Sequence, residues 1–134
     1  MKEDLTEYAK KLVKECHGFI EANNYEVLKV EENYCELLGT ITETSTNHFG
    51  AAHGGYIFGL ADTAAGIAAM TDGRTAVTIS SNIDYLKAAK TKTLKAIATC
   101  TKSGKTISFF EVKILDAEEN LVAKANVNYC YISK

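Results

Sequence analysis

The residues best suited to chemistry lie between positions 53 and 62, where a His53-Gly54-Gly55 turn leads into a segment that carries Asp62. Asp62 is the only formal charge in the otherwise apolar stretch that continues to Met70. Because an ionised carboxylate is costly to desolvate without partners, Asp62 either reaches a structural polar partner or its environment is used for chemistry. Both interpretations fit the pattern, and we favour the second.

The start of this segment is suited to hold a developing negative charge. Unpaired N–H groups and the dipole at a helix N-terminus favour an anionic ligand oxygen, and glycines leave the approach open. The tetrahedral state of an ester or thioester carbonyl would be stabilised there. However, Asp62 is eight residues beyond Gly54, or about 12 Å along a helix, which is too far to act on the same carbonyl. The spacing therefore predicts two equivalent sites shared between the subunits of a symmetric dimer.

The surrounding elements are predicted from hydrophobic periodicity. Apolar residues at helical spacing predict an amphipathic N-terminal helix and a buried central helix, and alternation predicts strands. The helices cover residues 4–22 and 53–70, and the strands cover 25–30, 34–42, 77–85, 94–100, 106–115 and 121–131. The order predicts one α+β domain over residues 1–134, with an N-terminal helix in 1–24 and a core in 25–132. In that core a largely antiparallel sheet curls around the central helix.

Two details of this prediction bear on the site. The long polar loop over residues 43–52 favours a functional segment over a simple connection. In the strand that follows the central helix, simple alternation assigns the side chains to two faces. One face takes Val77, Ile79, Ile83 and Tyr85, and the other takes Thr78, Ser80, Asn82 and Asp84.

Composition argues against several classes of function. With a net charge of -2 the chain has no basic excess for nucleic acid or anionic membranes. No run approaches the roughly 18 apolar residues that span a bilayer, and the charged N-terminus lacks a signal core, so we expect a cytoplasmic protein. The four scattered cysteines, Cys16, Cys35, Cys100 and Cys130, lack metal-binding spacing, so reduced thiols and no metal site are expected.

Through one set of motifs the sequence resembles the hotdog-fold acyl-CoA thioesterases of the phenylacetate-degradation, PaaI-like, type. The set comprises Asn47, His53-Gly54-Gly55, Asp62 and Asn82-Ile83-Asp84-Tyr85-Leu86, and the resemblance covers roughly residues 25–132. It implies a sheet wrapped around a long helix, homodimers that form the active sites and pair into a homotetramer, and acyl-CoA as substrate without a further cofactor. Leu86-Lys87-Ala88-Ala89 lacks the proline commonly found there.

The resemblance also implies roles for individual residues. The Gly54 N–H would polarise the thioester carbonyl, and the other subunit's Asp62 would act as nucleophile or general base. His53 would hold the turn or the thiol side, Asn47 would orient the carbonyl or water, and Thr78 would hold the attacking water.

Further residues are candidates for binding substrate. Aromatic side chains near the turn could line an acyl pocket, although ordinary core packing is the favoured explanation for each of them. The phosphates of coenzyme A require cations near the entrance. The candidates are Gly55, Phe49, Tyr56, Phe58 and Asn82 for substrate, with Arg74, Lys87, Lys90 and Lys105 as available cations.

Three other functions remain open from the sequence. A hydratase or dehydratase on the same fold would also bind an acyl thioester, although it would need a catalytic histidine in a different local pattern. A non-catalytic acyl-CoA-binding protein would retain the fold without turnover. A purely structural dimerisation domain would leave Asp62 and the polar loop unexplained.

Overall fold

The computed structural model describes residues 4–15 and 17–133, in which one long helix lies against a six-stranded sheet. The helices are α1 (Leu5–Lys14), α2 (Phe19–Ala22) and α3 (Gly54–Ala69). The strands are β1 (Tyr25–Glu31), β2 (Tyr34–Thr40), β3 (Thr75–Tyr85), β4 (Thr93–Lys102), β5 (Ile107–Asp116) and β6 (Leu121–Ser133). The sheet order is β1-β2-β4-β5-β6-β3, and all neighbours are antiparallel. The predicted α+β hotdog architecture is confirmed.

The core is the layer between α3 and the sheet. Small side chains on both surfaces, such as Ala61 and Ala64 on the helix and Ala96 and Ala125 on the sheet, are fully buried. They allow the helix to approach the strands closely, and larger side chains such as Phe110 fill the remaining space. This layer fixes the orientation of α3, and therefore the direction in which Asp62 projects.

The N-terminal segment differs from the prediction of one helix over 4–22. α1 ends at Lys14, and a second short helix starts at Phe19 after Gly18, whose backbone is not helical. The Asp4 side chain caps α1 by accepting hydrogen bonds from the N–H groups of Thr6 and Glu7. The amphipathic period continues across the segment, but a glycine within it allows the chain to change direction.

β3 also differs from the simple alternation predicted for it. The pairing of β3 with β6 shifts between Thr78 and Ser80, which marks a bulge at Ile79. Before the bulge Thr78 pairs with the inward-facing Tyr129, and beyond it Ile83 pairs with the buried Ala125. Thr78 therefore lies on the same face as Ile83, and the predicted assignment of Thr78 to the face opposite Ile83 is wrong.

The structure also bears on the cysteines, on membrane-spanning helices and on metal-binding groups. Cys35 is buried and Cys100 and Cys130 are half-buried, all as free thiols, whereas Cys16 lies outside the described residues. Within residues 4–15 and 17–133 no helix is long and apolar enough to cross a membrane. The same residues contain no group of three or more His, Cys, Asp or Glu side chains that could hold a metal ion.

Candidate active site

The start of α3 is capped by the histidine that precedes its glycines. His53 has extended backbone angles, φ -66° and ψ 141°, and its Nδ1 accepts a hydrogen bond from the Gly55 N–H at 2.8 Å. Because Nδ1 is an acceptor, the proton of the neutral ring is on Nε2. The bond also occupies the Gly55 N–H, whereas the Gly54 N–H has no partner within the described part of the chain. Gly54 is therefore the available donor at this helix end.

Replacing His53 by alanine should lower the free energy of unfolding by about 1 kcal/mol, because the Gly55 N–H loses its side-chain cap. His53→Asn supplies a good N-cap oxygen and should recover most of that loss. Urea denaturation of the two variants and the wild type measures the difference. Equal stability of the alanine and asparagine variants would contradict a capping role.

Tyr85 fixes the other side of the same turn. Its hydroxyl donates to the Gly54 carbonyl oxygen at 2.8 Å, and a Cβ added to Gly54 would be 3.2 Å from its ring. The sequence placed Tyr85 in a motif and on the same strand face as Ile83, whereas its contact with Gly54 depends on the tertiary position of β3. Tyr85 therefore holds the helix start in place while the Gly54 N–H remains unoccupied.

The polar loop before α3 forms one wall of a cleft at this turn. The Asn47 Oδ1 accepts hydrogen bonds from the N–H groups of Phe49, at 2.9 Å, and Ala51, at 3.2 Å. Phe49 is 72% exposed and contacts His48. The cleft has a volume of about 570 Å³, and its lining includes Asn47, Phe49, Gly54, Tyr85, Lys87 and Lys90. Asn47 shapes the loop with its oxygen, which leaves its amide nitrogen free of hydrogen bonds among the described residues.

Asp62 is at the centre of a second polar cluster, two turns along α3. The Thr78 hydroxyl donates to Asp62 Oδ1 at 2.7 Å. The Tyr129 hydroxyl lies 3.0 Å from the same Oδ1 and 2.5 Å from the Asp62 backbone oxygen. Thus two hydroxyls converge on one carboxylate oxygen, and Oδ2 accepts no hydrogen bond from the described residues.

Tyr129 remains protonated in this environment. Its burial raises the pKa of the phenol well above the usual value, and the nearby Asp62 charge raises that pKa further. A protonated phenol can donate its hydrogen, and the backbone oxygen and Oδ1 of Asp62 are acceptors within reach, with the Thr78 side chain also close to the phenol. The cluster therefore presents a carboxylate with one oxygen held by hydroxyl groups and the other oxygen unoccupied.

The remaining candidates fall in three different places. Tyr56 is 5% exposed and donates its hydroxyl to the Thr40 carbonyl oxygen, so it is part of the core. Phe58 is half-buried on α3. Asn82 pairs with the exposed Asn126, on the face of the sheet away from α3, and is not brought to the Asp62 cluster.

Arg74 is largely occupied by structural contacts. Its guanidinium forms an ion pair with Asp72 at 2.8 Å, donates to the carbonyl oxygens of Gly104 and Lys105, and stacks 3.5 Å from the Tyr131 ring centre. These contacts fasten the β4–β5 turn to the start of β3. Among the candidate cations, it is Lys87 and Lys90 that line the cleft beside Gly54.

Comparisons with known proteins identify the family to which this chain belongs. The model of the thioesterase superfamily matches residues 49–123, which include the end of the loop, α3, β3, β4, β5 and the start of β6. The chain therefore belongs to the thioesterase superfamily. Its sequence is 29% identical to the acyl-coenzyme A thioesterase PaaI of Escherichia coli, over 73% of this chain and 71% of that protein. The chain is a thioester hydrolase of the PaaI-like hotdog type.

Solved structures agree with this assignment. The structure of the E. coli PaaI protein from the phenylacetic acid degradation operon has a TM-score of 0.89 and 25% identity, covering 97% of each chain. A Streptococcus mutans protein bound to acetyl-CoA has a TM-score of 0.82 and 31% identity, covering 90% of this chain and 95% of that one. A Streptococcus pneumoniae protein described as a hypothetical thioesterase, solved with coenzyme A, has a TM-score of 0.81 and 31% identity, covering 87% and 92%.

Proposed function

We propose that this protein hydrolyses small or medium acyl-CoA or aryl-CoA thioesters to the free acid and coenzyme A. The observation that carries the proposal is the Asp62 carboxylate, held through Oδ1 by two hydroxyls on a helix whose start offers the free Gly54 N–H. Thioester hydrolysis requires two groups. One is a base or nucleophile, here a carboxylate with an unoccupied oxygen, and the other is a donor for the carbonyl oxygen, here a free backbone N–H. The E. coli relative named as an acyl-CoA thioesterase, and the relatives solved with acetyl-CoA or coenzyme A, support the substrate class.

The proposed reaction proceeds through a tetrahedral intermediate. The Gly54 N–H donates to the carbonyl oxygen and stabilises its negative charge as the new bond forms. Asp62 either removes a proton from water, so that the water oxygen bonds to the carbonyl carbon, or forms that bond directly with Oδ2. The carbon–sulfur bond then breaks, and the thiolate leaves and takes up a proton. On the direct route, water then hydrolyses the acyl-enzyme anhydride.

Other side chains have supporting roles in this proposal. The proton of the Thr78 hydroxyl is donated to Asp62, so Thr78 would hold a water as an acceptor. The Asn47 amide nitrogen would orient the carbonyl or the water, and His53 would hold the turn with Nδ1 while its Nε2–H faces the thiol side. Gly55 and Phe49 would contact the acyl part, together with Phe58 from the core side, whereas Tyr56, buried and bonded to Thr40, would only support that wall.

Each site would combine groups from two subunits. Gly54 and Asp62 of one chain are about 12 Å apart along α3, so one carbonyl reaches both groups only if the second comes from another copy. β3 supports the dimer, because it is an 11-residue strand at the sheet edge that pairs only with β6 in the described chain. Long open edges of this kind are normally covered. We propose that a second copy covers β3.

A tetramer of two such dimers would cover a second surface. Apolar side chains on the sheet face away from α3 are unusually exposed, among them Val77 at 42%, Phe109 at 40% and Ile132 at 59%. A patch of this kind is typical of an interface between subunits. Sedimentation equilibrium should give four times the mass of the 14.6 kDa chain.

The phosphates of coenzyme A would lie near the cleft beside Gly54. Lys87 and Lys90 line it, and the exposed Phe49 offers an apolar surface at the same opening. Asn82, Arg74 and Lys105 would contribute only if the partner subunit brought them close to this opening. Charge-assisted contacts from lysine fit the mobile, exposed phosphate groups of such a ligand.

A panel of acyl-CoA thioesters tests the proposal through release of the free thiol, detected with a thiol-reactive chromophore. We expect turnover on aryl or short-to-medium acyl-CoA, with rates that depend on the acyl group. Crotonyl-CoA is assayed both for thiol release and for hydration of its double bond. Hydration without thiol release would identify a hydratase. Thermal stabilisation by acyl-CoA without thiol release from any substrate would instead indicate a binding protein and would contradict the proposal.

A further inference from the structure

We propose that Tyr129 is a positioning residue, which fixes the Asp62 carboxylate so that Oδ2 is the oxygen that reacts. The inference rests on the proposed function and adds a residue from the last strand to the site. Ala125, Val127 and Tyr129 alternate along β6, and all three are buried on the face toward α3. The contact of Tyr129 with Asp62 depends on how α3 packs against β6.

The contacts of Tyr129 limit how Asp62 can move. The phenol oxygen lies within hydrogen-bond distance of both the Asp62 backbone oxygen and Oδ1, so one hydroxyl joins the main chain and the side chain of the same residue. The Tyr129 ring is 3% exposed and packs edge-on against Phe110. A ring held in this way cannot follow a rotating carboxylate. Rotation of Asp62 would therefore break a hydrogen bond.

The two hydroxyls also distinguish the carboxylate oxygens chemically. Thr78 and Tyr129 both bond to Oδ1 and occupy its lone pairs. Oδ2 has no such partner within the described chain, so it retains its capacity to attack a carbonyl or to take a proton from water. A fixed carboxylate with one reactive oxygen satisfies the geometric demand of either route.

Removal of the hydroxyl by Tyr129→Phe tests the proposal. We expect kcat for acyl-CoA hydrolysis to fall about ten-fold or more, with KM changed less than about two-fold, because misplacement of a reacting group acts on the chemical step. A crystal structure of Tyr129→Phe should show the Asp62 carboxylate rotated or in more than one orientation. The crystal structure does not require turnover, so it tests the positioning separately from the proposed activity.

Tyr25 provides a matched control for the loss of a buried hydroxyl. It is 4% exposed, and its hydroxyl donates to the Tyr56 carbonyl oxygen, also in α3, at 2.7 Å. Tyr25→Phe should therefore cost a similar loss of melting temperature while kcat stays within about two-fold of the wild type. If both phenylalanine variants have the same kcat, or if Asp62 is unmoved in the Tyr129→Phe crystal, the positioning role is overturned.

A double variant adds a readout that a purely structural role would not change. Thr78→Val removes the other hydroxyl on Oδ1, and residues that act on one atom give non-additive effects. The combined loss in kcat of Tyr129→Phe with Thr78→Val should differ at least three-fold from the product of the single losses. A combined loss equal to that product would contradict a shared action on Asp62. The proposed function itself would fail if Asp62→Asn were as active as the wild type.

Discussion

Replacement of Asp62 by asparagine is expected to reduce kcat for acyl-CoA hydrolysis by about two to four orders of magnitude, the range associated with a lost acid–base group. Asparagine has nearly the same shape and retains an oxygen that can accept from Thr78 and Tyr129, so the neighbouring contacts can persist. The variant removes the charge and the basic oxygen. Steady-state thiol release measures the loss.

The fold and the oligomer must be intact for this result to concern chemistry. Circular dichroism and sedimentation equilibrium of Asp62→Asn should match the wild type, since the substitution is nearly isosteric. Asp72→Asn, which changes a carboxylate paired with Arg74 near the far end of α3, is the charge-matched control and should retain activity. Wild-type kcat in Asp62→Asn would show that another group activates the water.

Gly54→Pro is expected to reduce kcat/KM by about two to three orders of magnitude, because proline removes the one N–H that is free to polarise the carbonyl. The position suits the test, since proline is tolerated at the first residue of a helix. The extended angles of His53, φ -66° and ψ 141°, are also compatible with a following proline. The substitution thus removes a backbone donor from a helix end that should otherwise remain formed.

Gly54→Ala separates the lost donor from the added bulk. Alanine keeps the N–H, and its Cβ would lie 3.2 Å from the ring of Tyr85, a half-exposed side chain that can shift slightly. We expect at most a ten-fold loss for alanine, well below the loss for proline. Equal losses for the two variants would assign the effect to crowding and would contradict the donor role of Gly54.

Mixing Asp62→Asn with Gly54→Pro tests whether the two groups act across subunits. In a mixed dimer one site would contain both substitutions and the other would contain neither. Random exchange makes half of the dimers mixed, so about one quarter of wild-type activity should return, because half of the sites in half of the dimers are intact. No recovery after verified subunit exchange would mean that each site is built from one chain.

The fold was largely predictable because its signals are local and repeated. The apolar α3 segment with one carboxylate, and the alternation in β4 and β6, each specify an element and the face it buries. The errors lie where a single residue changes the pattern. Gly18 separates α1 from α2, and the bulge at Ile79 shifts the phase of β3. Hydrophobic periodicity is read over several residues, so it does not detect a helix break or a bulge at a single residue.

The reactive groups of the site were predictable from the sequence, but the long-range side-chain contacts that hold them were not. Gly54 and Asp62 follow from helix geometry and from the cost of an apolar carboxylate. The contacts of Tyr129 with Asp62, and of Tyr85 with Gly54, join residues 67 and 31 positions apart and depend on strand register. One signal was present in the sequence, because a tyrosine on an inward-facing position needs a partner for its hydroxyl.

The register of β3 on β6, bulge included, also decides whether the Asp62 carboxylate acquires its Thr78 partner during folding. Thr78 meets Asp62 only after β3 has settled in one register on β6. A slip of one residue would turn the Thr78 side chain to the opposite face. A chain with all its secondary structure and a misaligned β3 would therefore be inactive, so enzyme activity should recover later than helical content when the unfolded protein is returned to native conditions.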